Sequence, residues 1–143
     1  MKPAAQDSNA PLRVLFAGHE ATRTGAPIGF LSLIEWLKRH GHVEPVMWLR
    51  RGGDLEAEHA GLGRLAVAGD AGALAEAGAV HLAYLNTATL GDAAERLAEA
   101  GIPVICHAHE MDCEVAATGP ANLERLRTWG RSVESRVRKD NEY

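Results

Sequence analysis

Short apolar segments alternate with amphipathic ones along this chain, and this alternation limits the possible folds more than any other feature. Apolar segments predict buried strands at Leu12–Gly18, Val43–Leu49, Arg64–Val67, Ala79–Leu85 and Ile102–Cys106. The intervening segments predict helices from Pro27 to about His40, at Asp54–Ala60, at Gly69–Ala77, and from caps at Asn86 and Thr87 to Ala100. Strands and helices that alternate over such short connections are typical of right-handed βαβ units.

The order of these elements predicts an α/β fold, a single doubly wound Rossmann-like domain with a mainly parallel sheet and helices on both faces. A chain of 143 residues with 46% hydrophobic residues suits one domain with one core. The domain is expected at residues 12–143, after a disordered lead-in at residues 1–11. A polar, basic segment with an apolar side predicts a last helix at residues 120–140.

The charge balance and the cysteine content argue against several classes of protein. Fifteen basic and nineteen acidic residues leave a net charge of -4, so no global positive field would hold nucleic acid. Two cysteines are too few for a secreted disulfide scaffold, and the first ten residues lack the apolar core of a secretory signal. No segment has the uninterrupted apolar length of a transmembrane helix. We expect a cytoplasmic protein, and association with the inner membrane surface stays open.

Ligand crevices in open parallel sheets lie beyond the carboxyl ends of the strands, so the loops there hold the candidate site. After the first strand, small residues at positions 18–29 let backbone amides and a helix start approach an anion, and Arg23 adds a cation. A plain strand-to-helix turn is the alternative in that loop. After the fourth predicted strand, Asn86 and Thr87 bring an amide and a hydroxyl to the crevice, although helix capping alone explains both residues.

The loop after the fifth predicted strand carries two histidines and two carboxylates, at His107, His109, Glu110 and Asp112. Because side chains alternate along an extended chain, His107 and His109 share one face while Glu110 points away. A histidine with an acidic neighbour can donate a hydrogen bond to a substrate, and two imidazoles can also bind a metal. No histidine follows Asp112, so a metal would lack ligands nearby. A third alternative is that both histidines only satisfy loop amides.

Four other histidines and the first cysteine are expected to have no functional role. The histidines in question are His40, His42, His59 and His81, which fall at helix ends or strand edges of the predicted fold. Cys106 is expected to be a small core residue.

Three segments together resemble the amino-terminal domain of family 4 retaining glycosyltransferases. They are RVLFAGHEATRTGAP at Arg13–Pro27, YLNT at Tyr84–Thr87 and PVICHAHE at Pro103–Glu110. The similarity covers residues 12–112 well. In the family, two Rossmann-like domains face each other across a cleft, and the first binds mainly the acceptor while the second binds the nucleotide sugar. The segment Ser132–Asn141 is similar to a short strand and helix that precede the linker between the two domains.

The resemblance implies which residues form the site. It puts the Thr24-Gly25-Ala26-Pro27 loop near the donor diphosphate and the acceptor, and His109 in contact with the donor sugar at the reaction centre. It implies that His107, Glu110 and Asn86 line the acceptor side. The predicted catalytic residues are therefore His109 and Glu110, and the predicted binding residues are Arg23, Thr24, Gly25, Ala26, Pro27, Asn86, Thr87 and His107.

The implied function is transfer of a sugar from a nucleoside diphosphate sugar to an unidentified acceptor hydroxyl with retention, without a metal or other cofactor. The donor-binding second domain is absent from the sequence, so we expect the chain to be incomplete alone. A further domain, a second chain or self-association would complete the site. The alternatives are a non-catalytic module that binds a nucleotide or sugar phosphate, a metal-dependent hydrolase built on His107, His109 and Asp112, and a remnant that binds no ligand.

Overall fold

A computed structural model describes residues 10–108, 117–129 and 131–132 of the chain. The strands are β1 Leu12–Gly18, β2 Val43–Leu49, β3 Arg64–Val67, β4 Leu82–Leu85, β5 Val104–Cys106 and β6 Arg131–Ser132. The helices are α1 Gly25–Arg39, α2 Glu56–Leu62, α3 Ala71–Ala77, α4 Gly91–Glu99 and α5 Pro120–Trp129. Within the described ranges, no helix is both long and apolar enough to cross a membrane.

The strands form one sheet in the order β3-β2-β1-β4-β5-β6, and each neighbouring pair is parallel. The chain adds β2 and β3 on one side of β1, then returns to add β4, β5 and β6 on the other side. The direction of winding thus reverses between β1 and β4. This topology confirms the predicted doubly wound α/β fold.

Alternate residues of β1 enter two cores on opposite faces of the sheet. Val14 and Phe16 pack in one core, with Phe30 and Ile34 of α1. The adjacent Leu15 and Ala17 pack in the other core, with apolar residues of α3 and α4 and with Leu126 of α5. This alternation is what a strand buried on both sides requires, and it confirms the helices on both faces.

Several element boundaries differ from the sequence prediction for local reasons. Strand β4 begins at Leu82 rather than Ala79, because Ala79 has a positive φ of 48° in the turn that follows α3. Helix α3 begins at Ala71, where the Asp70 carboxylate accepts hydrogen bonds from the amides of Gly72 and Ala73. Strand β5 is shorter by two residues at its start than predicted.

The last predicted helix is wrong at Arg131 and Ser132. Arg131 and Ser132 instead form β6, which pairs with Ile105 and Cys106 and satisfies the open edge of β5. The rest of that predicted helix, and residues 1–9 of the predicted lead-in, lie outside the described residues.

Candidate functional site

The reversal of winding places the ends of β1 and β4 side by side. Ala17 of β1 is in register with Leu85 of β4, and Leu85 with Cys106 of β5. The loops that follow these three strands therefore leave the same edge of the sheet. A crevice beyond this edge is where doubly wound sheets bind their ligands.

A cavity of about 440 Å³ opens at this edge, between the start of α1 and the ends of β4 and β5. Its lining residues are Gly25, Ala26, Gly29, Phe30, Leu33, Tyr84, Asn86 and His107. Four of the predicted binding residues, Gly25, Ala26, Asn86 and His107, are thus brought together although up to 82 positions separate them in the sequence (107 minus 25). Thr24 and Pro27 adjoin this wall without lining it.

Of two other cavities, one has its arginines already paired and the other lies away from the carboxyl ends of the strands. One of about 280 Å³ is lined by Arg50 and Arg96, but Arg50 is paired with Asp92 at 2.5 Å and Arg96 with Asp70 at 2.6 Å. Burial favours a raised pKa for Asp92, yet the hydrogen bond and charge of Arg50 outweigh it and hold that pKa below its ordinary value. The other, of about 600 Å³, lies at the amino ends of the strands, beside Arg13.

The amino end of α1 forms one wall of the 440 Å³ cavity and is open to a ligand. Thr24 is the capping residue, but its side chain makes no capping hydrogen bond and instead contacts the Thr22 hydroxyl at 3.0 Å. The first turn carries no acidic side chain. The partial positive charge of a fifteen-residue helix is therefore not neutralised by a carboxylate on its own first turn.

Gly25 and Gly29 leave the helix side of the cavity without side chains at two positions. A Cβ atom built on either residue would meet nothing within 4 Å, and neither residue has a positive φ. Neither packing nor backbone conformation thus explains a glycine at these helical positions, where glycine is unfavourable by about 1 kcal/mol relative to alanine.

Arg23 does not face the cavity as predicted. Its guanidinium donates to the carboxylate of Glu58 on α2 at 3.2 Å, and both side chains are exposed. An exposed pair of this kind is weak, because water screens both charges. Arg23 therefore lies on the α2 side of the loop in this structure.

Helix capping does not explain Asn86 and Thr87, contrary to that prediction. Helix α4 begins only at Gly91, and the amide of Gly91 donates to the side chain of Asn122 at 2.7 Å. Thr87 instead accepts a hydrogen bond from the Thr89 amide at 3.2 Å, and it does not line the cavity. Asn86 is buried, with 7% of its surface exposed, and its backbone amide donates to Ala17 at the end of β1.

Tyr84 is a site residue that the sequence prediction omitted. Its hydroxyl lies 2.6 Å from Nδ1 of His107, and both side chains line the cavity. Burial, and secondarily the nearby Cys106 thiol, raises the pKa of the phenol, which stays protonated at neutral pH. Strand alternation carried a signal for it, since Tyr84 and Asn86 are two residues apart and share one face.

His59 lies in the last turn of α2, at a helix end as predicted, and it is buried. None of its surface is exposed, and neither ring nitrogen has a hydrogen-bond partner among the described residues. Its ring lies 6.1 Å from that of Phe30. Desolvation lowers its pKa, and the charge of Glu58 opposes this only in part. Cys106 is a buried core residue, as expected.

The predicted catalytic residues His109 and Glu110 lie outside the described residues, as does Asp112 of the metal alternative. Within the described part of the chain, no group of three or more histidine, cysteine or acidic side chains is placed to hold a metal ion. The metal alternative depends on His109 and Asp112, which lie outside the described residues, so it stays an alternative.

No protein-family model matches this chain, and neither does any curated protein or solved structure. The resemblance to glycosyltransferases thus rests on the sequence motifs alone and stays a prediction. The fold and the cavity do not depend on it, because they follow from the described residues.

Proposed function

We propose that this domain is the acceptor-side half of a retaining glycosyltransferase that uses a nucleoside diphosphate sugar. The observation that carries the proposal is the cavity at the switch point, which joins the uncapped start of α1 to Asn86 and His107. Helix starts at this edge of a doubly wound sheet are the usual place for diphosphate groups. The amide and imidazole side chains suit the hydroxyl groups of a sugar or acceptor.

The same cavity argues that another unit completes the site. Its described lining residues include no lysine or arginine, although a leaving diphosphate needs cationic partners during transfer. A second domain or chain across the crevice would supply those cations. In this scheme the start of α1 lies near the diphosphate, and His109 and Glu110 remain the predicted catalytic residues.

The second candidate function is a non-catalytic module that binds a nucleotide or sugar phosphate. The described lining residues, which include no lysine, arginine or carboxylate, also favour this function, because helix amides and hydroxyl-binding groups suffice for binding. The two candidates differ in whether sugar is released from the donor.

Calorimetric titration of the full chain with UDP-glucose, GDP-mannose, UDP and GDP tests the proposal, with released sugar measured in parallel. We expect dissociation constants of about 1 mM, since the described lining of the cavity offers no lysine or arginine to the phosphates. Release of sugar from the donor would support the transferase. Binding that never leads to release would favour the non-catalytic module, and no binding of any probe would contradict both.

A glycine substitution tests whether the nucleotide sugar binds in this cavity. Gly29→Leu places a large side chain in the cavity wall, where it meets no other atom of the protein at its Cβ. Gly61→Leu is the matched control, because Gly61 is also helical and unobstructed and does not line the cavity. We expect Gly29→Leu to weaken UDP-glucose binding at least tenfold and Gly61→Leu to leave it unchanged. Equal binding by both variants would show that the ligand binds outside this cavity.

A further inference from the structure

We propose that acid releases α2 from α1 while the central strands stay folded, and that uptake of a proton by His59 drives this release. Because α2 contacts both the loop that leads into α1 and Phe30 of the cavity, its release changes the candidate site. The effect on a nucleotide sugar rests on the proposed function, whereas the release itself does not.

Helix α2 packs against the domain through a titratable side chain. Of its seven residues, Glu56–Leu62, only His59 is buried. Its ring has 0% of its surface exposed, and neither nitrogen has a hydrogen-bond partner among the described residues. A buried imidazolium without a partner is far more costly than a buried neutral ring. The docked position of α2 is therefore suited only to the neutral ring.

The charged groups around His59 do not compensate a positive charge on its ring. Glu58 favours the protonated ring, but burial outweighs this charge and lowers the pKa of His59. The Glu58 carboxylate is itself paired with Arg23. The other charged residues of α2, and those of the segment before it and of the elements that pack against it, are exposed and make no hydrogen bond to the ring. They are Asp54 and Glu56, Glu35, Lys38 and Arg39 of α1, Glu44 of β2 and Arg64 of β3.

The same helix supports the candidate site. The amide of Leu55, directly before α2, donates to the carbonyl of Ala21 at 2.8 Å, and both side chains share a small core with Leu49. The Phe30 ring lies 6.1 Å from that of His59 and lines the cavity. Release of α2 therefore removes packing from one side of Phe30 and a support from the loop that leads into α1.

Few other contacts hold α2 in place. A helix of seven residues has little stability of its own, and the residue that caps its start makes no side-chain capping hydrogen bond. The polar contacts of α2 with neighbouring segments include the exposed pair of Glu58 with Arg23 and a hydrogen bond from exposed Lys38 to the carbonyl of Leu62. Exposed contacts of this kind are weak. Short segments with few buried contacts open before the whole domain unfolds.

The direction of the pH effect follows from the two environments of the imidazole. In released α2 the ring is exposed and has the ordinary pKa of 6.5, whereas burial lowers the pKa of the docked ring. Acid therefore favours the released form. Between pH 7 and pH 5 the ratio of released to docked α2 rises by up to about 25-fold, which is the effect of protonating the exposed imidazole alone.

Hydrogen–deuterium exchange of the full chain without ligand, measured by mass spectrometry at pH 7 and pH 5, tests the release. Protection factors are compared after correction for the intrinsic exchange rate at each pH. We expect the protection of Glu56–Leu62 to fall by about tenfold to 25-fold at pH 5, and to stay below that of β1 at both pH values. About 1 M urea should lower the protection of β1 more than that of α2, because local opening exposes little surface.

Two variants separate the proton from the packing. His59→Leu places an apolar side chain in the buried position, and His59→Gln keeps a polar group there that takes up no proton. We expect α2 of both variants to keep its protection factor within about threefold between pH 7 and pH 5. An equal fall in the variants and the unsubstituted chain would overturn the proposal. Equal protection of α2 and β1 would also overturn it, because α2 would then open only with the whole domain.

UDP-glucose separates the release of α2 from the proposed function. A ligand that binds only docked α2, at about 10 mM and with a dissociation constant of about 1 mM, raises the protection of α2 about tenfold. If calorimetry detects binding but the protection of α2 is unchanged, the link between α2 and the cavity fails. If UDP-glucose does not bind, the proposed function fails and the acid release of α2 stands.

Discussion

The side chain of Asn122, on α5, accepts a hydrogen bond from the amide of Gly91 at the start of α4, at 2.7 Å. The same side chain donates to the carbonyl of Ala88 and to the hydroxyl of Thr118. One residue of α5 therefore caps α4 and ties down the loop that follows β4. That loop begins at Asn86, which lines the cavity, so α5 stabilises the loop on one side of the candidate site.

Replacement of Asn122 by alanine should destabilise the domain by about 1–3 kcal/mol, because it removes the hydrogen bonds that Asn122 makes to the Gly91 amide and the Ala88 carbonyl. Urea unfolding measures the change. Arg125→Ala on the same helix is the control, since it removes only the half-exposed pair with Glu95 and should cost no more than about 1 kcal/mol. Equal losses in the two variants would show that Asn122 is not a cap.

Substitution by alanine should lower the free energy of unfolding at Gly91 and raise it at Gly29. A Cβ atom on Gly91 would lie 2.7 Å from the backbone carbonyl oxygen of Asn122, so Gly91→Ala must push α5 away from α4. We expect a loss of about 1–3 kcal/mol. Gly29→Ala should instead raise the unfolding free energy by about 0.5–1 kcal/mol, because it meets no atom and favours the helix. Denaturant midpoints of both variants test this contrast, and a stabilising Gly91→Ala would contradict the packing of α5.

The buried His59 should make the domain sensitive to acid. Its pKa in the folded state lies below the ordinary 6.5, so the unfolded chain takes up a proton first as the pH falls through 6.5. Stability is therefore lost below pH 6.5, and the loss is complete below the folded pKa. His59→Leu removes this loss, as well as the two unpartnered ring nitrogens.

We expect His59→Leu to be more stable than the unsubstituted chain at pH 8, with a margin that widens at pH 5. Urea unfolding at the two pH values measures both margins. His42→Leu, at an exposed histidine between α1 and β2, is the control for the loss of a histidine side chain. A margin that narrows on acidification would mean that His59 gains a partner when it is protonated.

The elements of the fold were predictable from the sequence because their signals are local. The apolar run of β1 and the helical spacing of α1 depend on neighbouring residues, and the parallel order follows from their alternation. Strand β6 was not predictable from periodicity, since it forms by pairing with the edge of β5. Asn86 and Thr87 have the residue types of a helix cap, but Asn122, which is distant in the sequence, caps α4 instead.

The candidate site was predictable in part for the same reason. Gly25, Ala26, Asn86 and His107 follow strand ends, and the topology of the sheet brings strand ends together. The partner of Arg23 is on α2, and the partner of Tyr84 is 23 positions away, so neither contact has a local signal. The burial of His59 depends on α1, which packs against α2 only in the folded chain.

The most direct test of the central claim is to locate where a nucleotide sugar binds. UDP-glucose is titrated into the ¹⁵N-labelled full chain, and the backbone amide signals that move are assigned. The proposed site predicts that the shifts concentrate at Gly25, Ala26, Gly29, Asn86 and His107, and that Gly29→Leu abolishes them. Shifts confined to the groove beside Arg13 and Arg64 at the opposite edge of the sheet, or no shifts at all, would contradict it.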